Sequence, residues 1–450
     1  MDVMKRRLLL QVMLVLAILC TGWFVGQQQL KAVVTPFEVW ATDQSGAGGK
    51  LYVYNGADLN DNAAAAVPEV IDLDGAVSDL CRQQTGSAPV RAHMLAFNPA
   101  HTHAILSYVA SGHVVFLDAA TRAPLSCIDV GQQAHAAFPS PDGRYVVVAN
   151  QNGKLLQRIS TDYASDTFTL DNGATLDLAT CRTPSGALCQ DDGVTQVGVR
   201  PDNAPICPVI DSGSRLVFTT LRGGGMFVVD ATATPMRIIA EYDQATVQPE
   251  GCGGIQTRGK MYINSGSANP PASHLYAFSL SELAGAGPHP PNTPAPNTIF
   301  SRTSGNYNTH GLLLNRAKQG RYLWAAERSA NTIEVVDTTT DTSVGAFGLA
   351  GRVSTDPAPD LMDIAPDGKY AFASLRGPCP LTANSPATNN AVGATPGIGV
   401  ISIQEGGQSG KLVAVAPITN PSSPFTCGTV GGSPTLTERA DVHGIAVRRM

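Results

Sequence analysis

The chain has 450 residues, a formal net charge of −6 at pH 7, and only 15% charged residues. That share lies well below the usual value of about 25%, and no basic run occurs beyond the N-terminus, so nucleic acid is excluded as the expected partner. Forty-five glycines and 31 prolines suit many short strands joined by tight turns and argue against a helical protein.

At the N-terminus, Lys5, Arg6 and Arg7 precede an apolar run from Leu8 to Val25, broken only by Gln11, Thr21 and Gly22. About 18 such residues approach the length of a bilayer span. Residues 1–35 are expected to act as a signal peptide or an uncleaved membrane anchor, with Lys31-Ala32 the nearest approach to a cleavage site. Leu19 before Cys20 departs from the small residue that a lipoprotein site requires. The basic flank should stay in the cytoplasm. The remaining chain, 36–450, is then expected in the periplasm or outside the cell, tethered to the membrane only through this segment.

Next come three strand-like runs, F-E-V-W-A-T, K-L-Y-V-Y-N and P-E-V-I-D-L, without an inner partner. From Arg91 to Val130 a full unit appears, with four apolar or alternating runs separated by turn residues. A second unit begins at A-H-A-A-F-P-S-P-D-G-R-Y, and Pro366-Asp367-Gly368-Lys369 repeats its turn later in the chain. There, proline presets φ and glycine accepts φ > 0. Third strands end in aspartate at Asp118, Asp230 and Asp337. Six units begin near His93, His135, Cys207, Cys252, His310 and Met362. The C-terminal D-V-H-G-I-A-V-R-R supplies the inner strand that the N-terminal runs lack. The expected fold is therefore all-β, a seven-bladed β-propeller closed by N- and C-terminal strands sharing one blade. Polar stretches at 160–203, 284–298 and 378–397 are expected to be excursions from blade edges.

Beyond Cys20 the cysteines are Cys81, Cys127, Cys181, Cys189, Cys207, Cys252, Cys379 and Cys427. An even set in an exported chain suggests disulfides. Spacing and position favour Cys81–Cys127, Cys181–Cys189 and Cys379–Cys427, although sequence alone does not fix connectivity.

Inner strands line a propeller's channel, so equivalent positions form a ring about the axis. The third letters of R-A-H-M-L, Q-A-H-A-A, P-I-C-P-V, E-G-C-G-G, N-T-H-G-L, D-L-M-D-I and D-V-H-G-I are His93, His135, Cys207, Cys252, His310, Met362 and His443. Histidine fills only nine of 450 positions in the chain, yet it fills four of these seven. Imidazole, thiol and thioether on one ring point to a metal centre, with copper favoured by ligand softness and iron as the alternative. Cys207 and Cys252, on adjacent blades, are either ligands or a disulfide. The structural alternative is that channel histidines simply bond water. Glu250, Asp363 and Asp441 flank the column and are candidates to orient histidines or act as general bases, whereas Asp360 reads as a strand-end residue. His101, His103, His113 and His274 are expected on the surface, and His289 falls in the Pro-rich loop.

The P-D-G-[RK]-Y-[VA]-[VF] and V-V-D-T-T-T segments resemble the YVTN-type seven-bladed propellers over roughly residues 37–450, a resemblance that implies an architecture and no particular activity. The strand-start histidines are similar to those of the propeller domain of nitrous oxide reductase and related copper propellers. That likeness implies His93, His135, His310 and His443 as copper ligands. Carotenoid oxygenases, with four histidines on iron in a propeller, offer a second analogy. The leading expectation is redox chemistry on a small molecule at one mouth of the channel. Its competitor is a non-catalytic envelope scaffold or ligand-binding propeller. A lactonase with a calcium ring of Glu, Asn and Asp does not match this column. No feature sets the oligomeric state.

Overall fold

Pairing in chain order gives seven four-stranded antiparallel sheets. A computed structural model describes residues 35–450 except 268–269, 286–287, 316–318, 386 and 428–434. Residues 1–34, on which the expected signal peptide or anchor falls, lie outside the described residues. Blades 1 to 6 start with inner strands Ala92–Phe97, Ala134–Pro139, Pro205–Ile210, Gly254–Thr257, Thr309–Leu314 and Pro359–Ile364. In each, the next three strands follow in sequence, stepping outward.

Blade 7 combines both ends of the chain. Its inner strand Val442–Arg449 pairs with Phe37–Asp43, followed by Lys50–Asn55 and Glu69–Asp72. This closure removes a free sheet edge that would otherwise template association. Between blades, apolar faces interlock. Trp40 packs with Leu95, Leu106 and Tyr108 of blade 1, while Trp324 of blade 5 packs with Met362, Ala373 and Leu412 of blade 6.

The recurring turn residues have visible work. Gly143 and Gly368 hold φ of 71° and 70°, where a Cβ would be strained. Asp118, Asp230 and Asp337 each accept a hydrogen bond from the backbone N–H two residues on, at 2.9, 3.1 and 2.9 Å. These caps fix the turn into the fourth strand.

Four disulfides join Cys81–Cys127, Cys181–Cys189, Cys207–Cys252 and Cys379–Cys427. The first ties a helix, Ala76–Thr85, to the outer strand of blade 1. That helix was not expected from a glycine- and proline-rich composition. The 160–203 stretch is less of an excursion than expected. Strands Leu155–Asp162 and Thr167–Asp177 complete blade 2, and the loop proper begins only after Asp177.

Three histidines assigned to the surface are buried instead. His103 sits 2.7 Å from Asp166, His113 bonds Ser111, and His274 stacks over Tyr276. His103 and His113 begin strands and His274 is the second residue of one.

Candidate functional site

In six blades the ladder between the inner and second strands shifts register at the same height. Such a bulge turns an extra residue out of the pleat, here towards the axis. Each bulge is anchored by the residue that follows the second strand. The N–H groups of Val109, Gln151, Arg222, Arg328, Arg376 and Gln44 donate to the carbonyls of Arg91, Gln133, Ala204, Asn308, Ala358 and Asp441. The axial residue lies two places after each of those carbonyls. The ring is therefore His93, His135, Ile206, His310, Asp360 and His443.

Taken around the axis, blades 5, 6, 7, 1 and 2 place His310, Asp360, His443, His93 and His135 side by side. The imidazoles form one continuous run. Ring centroids are 5.4 Å apart for His310 and His443, 3.7 Å for His443 and His93, and 4.8 Å for His93 and His135. Neighbouring blades pin the backbone beneath them. Thr42 Oγ1 donates to the His93 carbonyl at 3.1 Å, Ser107 Oγ to that of His135 at 3.1 Å, and Asn264 Nδ2 to that of His310 at 2.6 Å. Glycines permit the approach: a Cβ on Gly311 would fall 2.2 Å from the Asp360 carbonyl oxygen, and one on Gly444 2.6 Å from that of His93.

Hydrogen bonding fixes the tautomers. His93 Nδ1 faces Gln44 Oε1 at 3.0 Å, and His135 Nδ1 faces the Ile206 carbonyl at 2.9 Å. His310 Nδ1 lies 2.5 Å from Asp360 Oδ1. All three partners are acceptors, because Gln44 spends its amide NH₂ on Thr382 and Asp441. On His93 and His135 the proton therefore resides on Nδ1, and Nε2 keeps its lone pair, whereas His310 Nδ1 meets Asp360 as an ion-pair contact without hydrogen-bond geometry. His93 Nε2 and both nitrogens of His443 are buried without a hydrogen-bond partner, although His443 Nε2 lies 3.7 Å from Asp360 Oδ2.

A second ring surrounds the first, built from the residues just after the second strands. Arg376 Nη1 lies 2.7 Å from Asp360 Oδ2, and its Nε lies 2.7 Å from Asp441 Oδ1. Arg328 Nη1 lies 3.4 Å from Asp360 Oδ1. Burial opposes the charge on Asp360, but His310, Arg328, His443 and Arg376 together hold its carboxyl well below the usual range. Burial, with help from neighbouring imidazoles and arginines, pushes His93 and His443 well below the ordinary histidine value, and burial also lowers His310. His135 is pushed down to about 4, chiefly by burial. The arc presents neutral imidazoles at pH 7.

A pH effect follows. The folded pKa of His135 lies below its unfolded value of about 6.5, so the stability held by the neutral form is fully present above that pH. It is lost as pH falls towards 4. Metal-free wild-type protein is expected to lose denaturant resistance between pH 6.5 and 4.5 more steeply than His135→Gln. Parallel pH profiles in a urea titration contradict this account.

Three sequence expectations need correction. Met362 is not on the axis, because the bulge places Asp360 there and leaves the thioether in the apolar core between blades 5 and 6. Cys207 and Cys252 form a disulfide between the inner region of blade 3 and the entry to blade 4, beside His135, so neither offers a thiolate. Asp363 and Asp441 are structural. Asp363 accepts from the Val447 N–H at 2.7 Å and so joins blade 6 to blade 7, while Asp441 accepts from Arg376, Gln44 and the Leu381 N–H. Of the expected general bases only Glu250 reaches the cavity wall.

That cavity, about 370 Å³, opens above the arc and is lined by His93, His135, His310 and His443 with Arg91, Arg222, Arg328, Glu250 and Gln133. Fold and site together define a seven-bladed propeller with a histidine-rich channel mouth. No family model matches the chain, and no curated protein matches it. Solved structures share the fold. One is a Bacteroides fragilis protein provisionally named a 6-phosphogluconolactonase (12% identity, 93% of this chain and 99% of that one, TM-score 0.54). Another is the periplasmic gluconolactonase PpgL of Pseudomonas aeruginosa (12% identity, 92% and 99%, TM-score 0.53). A third is a protein from Lactobacillus plantarum (11% identity, 92% and 99%, TM-score 0.54). Four disulfides agree with an extracytoplasmic location.

Proposed function

We propose that this is an exported propeller protein whose channel mouth holds one transition-metal ion on His93, His135, His310 and His443 and performs redox chemistry on a small molecule in the cavity above. Residues 1–35 would deliver the chain to the periplasm as a signal or an anchor. The observation that carries the reading is a run of four adjacent imidazoles, with ring centroids 3.7–5.4 Å apart, in which His93 and His135 turn Nδ1 to an acceptor and keep the Nε2 lone pair. Metal-binding histidines characteristically engage their other nitrogen in this way.

With sulfur withdrawn from the ring, softness no longer decides the ion. Imidazole donors suit copper, iron and zinc, and copper(II) binds such sites most tightly of the divalent series. Copper is the favoured ion and iron the alternative. The ion would supply electron transfer to the bound molecule. The chain's own residues do the rest: Gln44, Asp360 and the Ile206 carbonyl hold the imidazoles in orientation, Arg376 and Arg328 balance the Asp360 charge, and the cavity wall positions the small molecule.

A second reading, lactone hydrolysis, draws on Glu250 standing among arginines on the wall, where it could direct a water at a carbonyl. Several fold neighbours carry lactonase names, which lends that chemistry a place in the tests. A third is the inert YVTN-type scaffold.

Elemental analysis of the full chain purified from the periplasm, with its visible and electron paramagnetic resonance spectra, separates these. About one copper or iron per chain, bound through imidazole nitrogen, is expected. Folded protein that stays metal-free when offered either ion overturns the metal reading. Turnover of a sugar lactone by that same metal-free protein would establish the hydrolytic one.

A further inference from the structure

The wall of the cavity carries more positive than negative charge. Arg91, Arg222 and Arg328 line it, against Glu250 alone. Asp360 lies beneath it and is already engaged by Arg376, His310 and, at 3.4 Å, Arg328. The three arginines differ in how far their charge is answered. Arg222 pairs with Asp202 at 2.6 Å and keeps 40% of its side chain exposed. The Arg91 guanidinium donates to the Leu381 carbonyl at 3.4 Å and has no carboxylate partner among the described residues. Arg328 is 2% exposed; it donates to Asn308 Oδ1 at 2.7 Å and meets Asp360 Oδ1 at 3.4 Å, while its Nε has no partner. A buried guanidinium N–H left unbonded is costly, and on the wall of a cavity it marks a donor awaiting an acceptor.

The same wall offers the reverse polarity once. Gln133 Oε1 is a buried acceptor without a partner. It lies across from the arginines only in chemical sense: it requires a donor such as a hydroxyl.

We propose that the molecule bound here is a small anionic polyol, with its acidic group held by Arg91, Arg222 and Arg328 and a hydroxyl donating to Gln133. Guanidinium groups recognise carboxylate and phosphate by paired N–H bonds, so both a sugar acid and a sugar phosphate carry the required chemistry. A cavity of about 370 Å³ admits a molecule of that size and not a polymer. This inference takes the cavity above the histidine arc as the working site, in common with the metal reading, but needs no metal for its test.

The test is calorimetric titration of the full-length protein, with and without bound metal, against gluconate, glucose 6-phosphate and uncharged glucose. Gluconate or glucose 6-phosphate should bind, and their ranking tells which acidic group the site takes. Uncharged glucose should bind at least about tenfold more weakly, the scale of one lost bond to a charged group. The double variant Arg91→Gln, Arg222→Gln should weaken anion binding by about tenfold or more, while its melting temperature and metal content stay at wild-type values. Gln133→Leu should weaken gluconate and leave acetate unchanged, a split that general unfolding does not produce. Equal binding of glucose and gluconate, or anion binding indifferent to the arginine variants, overturns the inference even if metal is present. Charge-selective binding in protein that never takes up metal supports it and instead removes the metal reading.

Discussion

Replacing Arg376 with methionine is expected to destabilise the protein by about 3–5 kcal/mol, the range for removing one partner of a buried ion pair. Arg376 is fully buried and bridges two fully buried carboxylates, Asp360 on the axis and Asp441 at the entry to the inner strand of blade 7. Its Nη2 also donates to the Thr382 carbonyl at 3.0 Å, which fastens the 378–397 excursion over the seam between blades 6 and 7. Without the guanidinium, both carboxylates must lose their charge or pull water into the channel. Arg376→Lys keeps the charge but not the fork that serves two acids, and should fall between wild type and Arg376→Met. Denaturant unfolding at pH 7 is the measurement. The double variant Arg376→Met, Asp441→Asn should recover part of the loss, since one stranded charge is gone. A single-variant loss below about 1 kcal/mol would mean that the bridge is solvated.

The second large effect concerns metal. His443→Ala and His310→Ala are each expected to lower copper(II) affinity by at least about a hundredfold, and Gln44→Leu by about ten- to a hundredfold through lost orientation of His93. Met362→Leu should leave affinity unchanged, because the thioether packs against Trp324 and Ala373 rather than the axis. This set distinguishes the arc from the ring that a residue-type alignment suggests. Competition titration against a chelator of known affinity reads all four. Loss of affinity in Met362→Leu equal to that in His443→Ala would restore the sulfur-containing ring.

Much of this was legible from residues alone, for physical reasons that also mark where legibility ends. Turn chemistry at Pro141-Asp142-Gly143 and Pro366-Asp367-Gly368 dates each blade, and closure follows from the unpartnered strands at either end. The four histidines were legible because a rare residue recurs at one point of the repeat. Asp360 was missed because alignment by ligand type preferred Met362. Counting back from the turn corrects it: Asp360 stands six residues before Pro366, as His135 stands six before Pro141. The bulge makes that count, and not the pleat, decide which side chain meets the axis.

The arginine ring had a quieter signal. Leu221-Arg222, Glu327-Arg328 and Leu375-Arg376 each end a second strand, a position that a search of inner strands never visits. The Cys207–Cys252 bond was open in the sequence, since two cysteines on adjacent blades serve a metal or each other equally well. Burial of His103 and His113 depends on partners distant in sequence, Asp166 and Thr85, which composition does not report.

The account rests on one ion sitting among imidazoles contributed by separate blades. Crystals of the copper-loaded protein, measured at the copper absorption edge, test that directly. One anomalous peak within bonding distance of imidazole nitrogens from His93, His135, His310 and His443 is the expected result. A map with no peak on the axis, or with copper only at His289 in the Pro-rich loop, contradicts it.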